Sequence, residues 1–280
     1  MSSTQPNPRP ILDHIVILVP YDDLSDLPSR LKDSLTVIDG GEHADGLTVN
    51  KLVLFPDGTY IELIAFNKGI DADRRRGHRW GSLDEGRIID WAYTLPAESD
   101  FAQVQQRVRH GGAGVTYADP VAGGRVRPDQ VVLKWAVASA RDAEGTPAWP
   151  GDAPFWCLDR TPRHLRVPYR GDGGLLEHTK HASEAQGVSK VAILVSEKDV
   201  PVWKPVYEAI HKTGHGADST EEGWAYDVHS GSTQGTHRVS LSALSSKEAK
   251  SEIRLTLLGT SQSPKTIELL SGLVLDFESV

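Results

Sequence analysis

The chain has 280 residues, 39% of them hydrophobic and 24% charged, with a net charge of -8. That length buries one large core or two smaller ones, and the acidic balance argues against a nucleic-acid binder, whose field is basic. No apolar run approaches the ~20 residues of a membrane span, the start lacks a secretory signal, and a lone cysteine, Cys157, excludes an internal disulfide, so a cytoplasmic protein without membrane contact is expected.

Residues 1–10 are polar and proline-rich and read as a disordered arm. The run from Leu12 to Val19, stopped by Pro20, predicts a strand over 11–19. A helix is expected over 24–35, then strands over 47–55 and 59–66, the last two separated by the turn signal Asp57-Gly58. An arginine-rich connection, 67–86, follows. The layout then restarts, with a strand over 87–95, a helix over 100–110 stopped by Gly111-Gly112, and strands over 115–119, 131–139 and 154–159. After an irregular stretch rich in Arg, His and Gly, 161–186, a third round begins. It has a strand over 187–195, a helix over 200–213 closed by Gly214, and strands over 237–243, 253–258 and 266–270. One such βαβββ unit leaves an apolar face uncovered, so units must pair. The fold class expected is α+β: βαβββ modules paired into curved, mostly antiparallel, barrel-like sheets. Residues 11–170 would hold two modules and 187–280 a third, divergent one.

Two polar residues sit in apolar strands. Strand alternation puts His14 on one face with Val16 and Leu18, and Ile15 and Ile17 on the other. Glu62 lies within Tyr60-Ile61-Glu62-Leu63-Ile64, where an unpaired carboxylate is costly and needs a cation, a metal or a proton. A hydrogen-bonded core histidine and a salt-bridged glutamate are the plain alternatives.

The segments LDHIVILV (12–19), YIELIAF (60–66), HRWGSLDEGRIIDWAYTLP (78–96) and PFWCLDRTPRHLRVP (154–168) resemble the glyoxalase-like domain family of the vicinal oxygen chelate superfamily. The resemblance covers roughly residues 11–195. It implies barrels of paired βαβββ modules, a metal-binding His on the first strand of a module, and a Glu ligand on its last strand. His14 and Glu62 stand at those places. At the position of His14 the second module shows Trp91, preceded by Asp90, and the third shows Lys190. At the position of Glu62 the second module shows an apolar residue or Cys157 and the third Glu268. The ligand set implied is therefore His14, Glu62 and Glu268 around one divalent ion (Zn, Mg, Mn or Fe) with open positions for substrate. Glu62, Asp90 and Glu268 are the candidate acid/base groups. Trp80 and Trp91 would wall a pocket, Arg163 and Arg166 would clamp a carboxylate or enolate oxygen, and His178 could add a contact or the missing ligand.

The implied function is isomerase, lyase or hydrolase chemistry on an oxygenated metabolite through a metal-stabilised enolate or alkoxide. Two alternatives stay open: a metal-free acid/base enzyme using Asp90, His14 and Glu62, and a non-catalytic small-molecule binder. A homodimer is implied by the superfamily's habit of pairing chains.

Overall fold

A computed structural model describes residues 9–111, 113–127, 129–172, 174–213, 216–217, 219–220, 223–230, 237–244 and 251–279. Most of the expected arm, and the expected helix stops Gly112 and Gly214, lie outside the described residues. Arg9 and Pro10 are held: Arg9 faces Asp227 at 3.7 Å and the Pro10 carbonyl accepts from Asp227 N.

The first unit comprises β1 (Ile11–Leu18), α1 (Tyr21–Leu31), β2 (Ile38–Glu42), β3 (Thr48–Leu54) and β4 (Tyr60–Phe66). A short helix α2 (Ala72–Gly77) leads to the second unit. That unit holds β5 (Arg87–Thr94), α3 (Phe101–His110), β6 (Val121–Val126), β7 (Val132–Ala138) and β8 (Phe155–Asp159). Together they make one eight-stranded sheet in the order β2-β3-β4-β1-β5-β8-β7-β6. The two units meet where β1 runs antiparallel to β5, and each first strand is parallel to the last strand of its own unit. The α+β class and curved, paired-unit sheet expected from the sequence are what the chain adopts.

Helix α1 starts three residues earlier than the sequence indicated because Pro20 caps it, and Leu24, Leu27 and Leu31 form its buried stripe. Two strands of this sheet escaped the sequence reading, β2 (Ile-Asp-Gly-Gly-Glu) and β6 (Val-Ala-Gly-Gly-Arg-Val). Each carries a Gly-Gly pair, which erases the β signal. The glycine is required at Gly40, where a Cβ would land 1.9 Å from Asn50 Oδ1.

After α4 (Arg163–Arg166) and the irregular stretch, β9 (Gly187–Val195), α5 (Val200–His211), β10 (Gly223–Ala225), β11 (Arg238–Ala243), β12 (Ser251–Gly259), β13 (Thr266–Leu270) and β14 (Leu273–Ser279) follow. With Ser219–Thr220 at one edge they form a seven-stranded sheet. Here β9 is parallel to β11 and antiparallel to β12, which is parallel to β14. This repeats the pairing of β1 with β4 and β5, and of β5 with β8, so β12 opens a further, helix-less half and does not continue the unit begun by β9.

Both sheets turn their helix-covered faces to one shared core. Ile15, Ile17, Leu27, Val104, Val191, Ile193 and Val206 all belong to it. Trp91, Tyr93 and Trp156 fill its centre. Among the described residues no helix is long and apolar enough to cross a membrane.

Candidate active site

The opposite face of the first sheet carries a pocket of about 90 Å³. His14 enters it from β1, Asn50 from β3, Tyr60 and Glu62 from β4, Arg125 from β6, and Phe155 and Cys157 from β8. Register explains the set. His14 pairs with Tyr60 and Val16 with Glu62, so His14 and Glu62 point the same way on adjacent parallel strands.

Adjacent strand residues ordinarily face opposite sides, yet Asp13 and His14 work together. The register of β1 against β5 slips between Leu12 and His14, and a bulge of this kind re-aims a side chain. Leu12 and Ile15 stay in the shared core, while Asp13 Oδ1 sits 2.5 Å from His14 Nδ1. A carboxylate only accepts, so Nδ1 carries a hydrogen and Nε2 is turned to the pocket. There Nε2 lies 3.6 Å from Glu62 Oε2. The other oxygen, Oε1, accepts from Asn50 Nδ2 at 2.5 Å and lies 3.5 Å from His43 Nε2. The His14 ring stacks on Tyr60, centroids 4.7 Å apart, and meets Phe155 edge-on.

Behind this pair lies a buried charge network. Arg166 directs Nε and Nη2 to the two oxygens of Asp159 at 2.7 and 3.0 Å, Nη1 and Nη2 to Asp13 at 3.1 and 2.8 Å, and Nη1 to Tyr60 Oη at 2.9 Å. All five of its N–H donors are thereby engaged. Arg163 bonds Asp13 Oδ2 at 2.5 Å and the Gly58 carbonyl at 2.8 Å. Burial would raise the Asp13 carboxyl, but Arg163, Arg166 and the His14 hydrogen bond outweigh it and hold the group well below the usual carboxylate range. The carboxylates these arginines clamp are therefore Asp13 and Asp159 of the chain itself, which leaves Arg166 no donor for an incoming oxygen.

Several expected site residues stand elsewhere. Asp90 is fully buried and accepts from Arg79 Nε at 2.7 Å, Trp80 Nε1 at 2.8 Å, Trp91 N and Gly151 N, so it is a saturated structural carboxylate. Trp80 packs beside Val16, Leu18 and Phe155 on the pocket side of the sheet. Trp91 points the other way, into the shared core, where its Nε1 bonds the Gly151 carbonyl. The residue facing His14 across the β1–β5 pair is Ala92, and the parallel pairing of Ala92 with Phe155 makes Cys157 the counterpart of Glu62. The second unit thus offers an alanine and a buried thiol, pushed up by burial. His178 is half-buried and bonds the Pro168 carbonyl. Glu268 is exposed on β13 of the other sheet, with Oε1 accepting from Gly272 N. The counterpart of Glu62 on β11 is Ser240, because Lys190 pairs with Arg238 and Ala192 with Ser240.

These placements decide the fit of a resident metal. His14 approaches one oxygen of Glu62, His43 the other, and an Asn50 N–H donor occupies the side near His43. One imidazole thus stands near each oxygen of the carboxylate. Among the described residues no group of three or more His, Cys, Asp or Glu side chains could hold a metal ion. The residues present do not fit the divalent ion that the resemblance implied.

Asp13, His43, Asn50 and Arg125 were absent from the sequence reading. Asn50 carried a signal, since it lies at an inward place in the alternation of β3. Asp13 was masked by the bulge, and His43 and Arg125 adjoin or occupy the glycine-broken edge strands.

Comparison with known proteins gives a consistent picture. Residues 12–206 match the family model described as a glyoxalase-like domain. A crystal structure of a hypothetical protein from Staphylococcus aureus superposes with a TM-score of 0.63 at 16% identity, covering 97% of this chain and 100% of that one. The Mn(II)-bound glyoxalase from Novosphingobium aromaticivorans gives 0.53 at 10% identity, covering 96% and 81%. At such identities the likeness speaks for the fold. No curated protein matches.

Proposed function

Because the chain belongs to the glyoxalase-like domain family, we propose that it is a small-molecule enzyme in which Glu62 and His14 move a proton next to a carbonyl group, as an isomerase or lyase does. The observation that carries this reading is the line Asp13–His14–Glu62, with a carboxylate behind the ring at 2.5 Å and another in front at 3.6 Å. Glu62 takes the proton from the carbon. His14, fixed at Nδ1 by Asp13 with Nε2 turned to the pocket, gives a proton to the carbonyl oxygen as negative charge develops there. Return of a proton to a neighbouring carbon or to the other face completes an isomerisation. Loss of a β-substituent from the same enol, which leaves with the proton held by Glu62 while the enol hydrogen returns to His14, completes an elimination. Phe155, Tyr60 and Leu52 supply the apolar walls that limit water.

The test is proton exchange in deuterated water. A panel of short oxygenated ketones and acids is incubated with the protein, and loss of the α C–H signal is followed by NMR. Exchange is expected with the wild type, falling about 10²–10⁴-fold in Glu62→Gln. Binding without exchange of any compound would overturn the enzyme reading in favour of a sequestration protein. One divalent ion per chain by elemental analysis, lost in folded His14→Ala and Glu62→Ala variants, would overturn the metal-independent assignment.

A further inference from the structure

Arg125 is the one arginine lining the pocket that retains donors for a ligand. It reaches across the seam of the curled first sheet, from edge strand β6 to edge strand β2, and its Nη1 bonds the Gly40 carbonyl. Among the described residues that is its single hydrogen-bond partner, and no carboxylate lies within ion-pair distance of it. The contrast with Arg166 is direct, because every N–H of Arg166 meets a protein acceptor. Arg125 is also partly withdrawn from water, and burial pulls its guanidinium below the ordinary range, with Tyr60 and Glu62 opposing. A desolvated guanidinium with a free fork and no counter-ion suits a planar carboxylate, which it can grip bidentately.

We propose that the substrate is a short-chain carboxylic acid whose carboxylate is held by Arg125 while its neighbouring carbon faces His14 and Glu62. This rests on the proton-transfer reading above and adds the substrate class. A volume of about 90 Å³ admits a carboxylate with a few carbons and falls well short of the 300–1,000 Å³ of a site for a drug-sized ligand. Since Asp13 and Asp159 are matched by Arg163 and Arg166, Arg125 is the cation left to face an anion. Gly41 beside it keeps the approach open, because a Cβ there would sit 3.0 Å from Nη1.

Calorimetric titration with pyruvate and with its neutral analogue pyruvamide tests the proposal. Wild type is expected to bind pyruvate at least about tenfold more tightly, as loss of one charge-assisted bidentate contact implies. Arg125→Gln is expected to erase that preference and Arg125→Lys to restore part of it. The wild-type comparison stands alone if the variants open the seam, and melting curves report whether they do. Equal affinities in the wild type, or an undiminished preference in folded Arg125→Gln, would overturn the carboxylate assignment. Exchange lost in Glu62→Gln with no anion preference leaves the proton-transfer reading standing and removes this one. Anion preference without exchange removes the proton-transfer reading and overturns the substrate assignment with it, leaving Arg125 as a carboxylate-binding group only.

Discussion

The two sheets repeat the same strand pairing and differ in what covers their outer faces. On β1 the register slips between Leu12 and His14; on β9 it slips between Val188 and Lys190, at the matching place. His14 is 3% exposed and sits over a buried ion network. Lys190, Ser240 and Thr256, at comparable places, are half-exposed, and Arg254 and Asp276 are exposed. The first face is roofed by α4 with its arginines and closed at its seam by Arg125. A bulge alone therefore re-aims a side chain, but a cover is what withdraws the re-aimed residue from water.

The comparison breaks most visibly at Arg166. Replacing it by Met leaves Arg163 alone to balance Asp13 and Asp159, and chemical denaturation should show a loss of about 3 kcal/mol. Arg254→Ala on the open face removes only the surface pair with Glu252 and should cost under about 1 kcal/mol. Equal losses would mean the first face is no more dependent on its charges than the second.

Asp13→Asn separates orientation from chemistry. The ring of His14 loses its anionic partner, and proton exchange should slow about 10–100-fold while Ser189→Ala, at the matching place on β9, leaves it unchanged. A linkage effect accompanies it. The Asp13 carboxyl is depressed in the fold, so its contribution is complete above its unfolded value of about 3.9 and disappears as pH falls through the lower folded value. Acid unfolding of the variant should be correspondingly less steep below about pH 4.

The cover itself has a pH signature. His181 pins the irregular stretch to the first unit: Nδ1 accepts from Thr36 N and Nε2 donates to the Leu54 carbonyl, both at 3.0 Å. Burial pulls it down to about 4. The unfolded chain therefore binds the proton first, so stability is full above about pH 6.5 and declines as pH falls toward 4. Unfolding free energies from denaturant titrations at pH 7.5 and 5.0 should differ by about 1–2 kcal/mol more in the wild type than in His181→Gln. Smallest of all, Glu268→Gln should shift stability by less than about 0.5 kcal/mol and leave exchange intact. Any loss of exchange there would revive the expected ligand set.

The sequence by itself specified the α+β class, the repeat of strand and helix, and the presence of one polar residue, His14 or Glu62, in each of two apolar strands, because side-chain alternation and apolar runs are local properties of the chain. It also suggested Glu268 as a partner, since a Glu between two apolar residues in a strand looks the same whether it faces a pocket or water. Only the tertiary structure could decide that question, through the register of strands far apart in sequence. The same holds for the role of Asp13, which depends on a bulge defined against β5, and for Arg125, which gains its place when the two glycine-bearing edges of one sheet curl toward each other. Local pattern determines which residues are polar and inward; long-range pairing determines which of them meet.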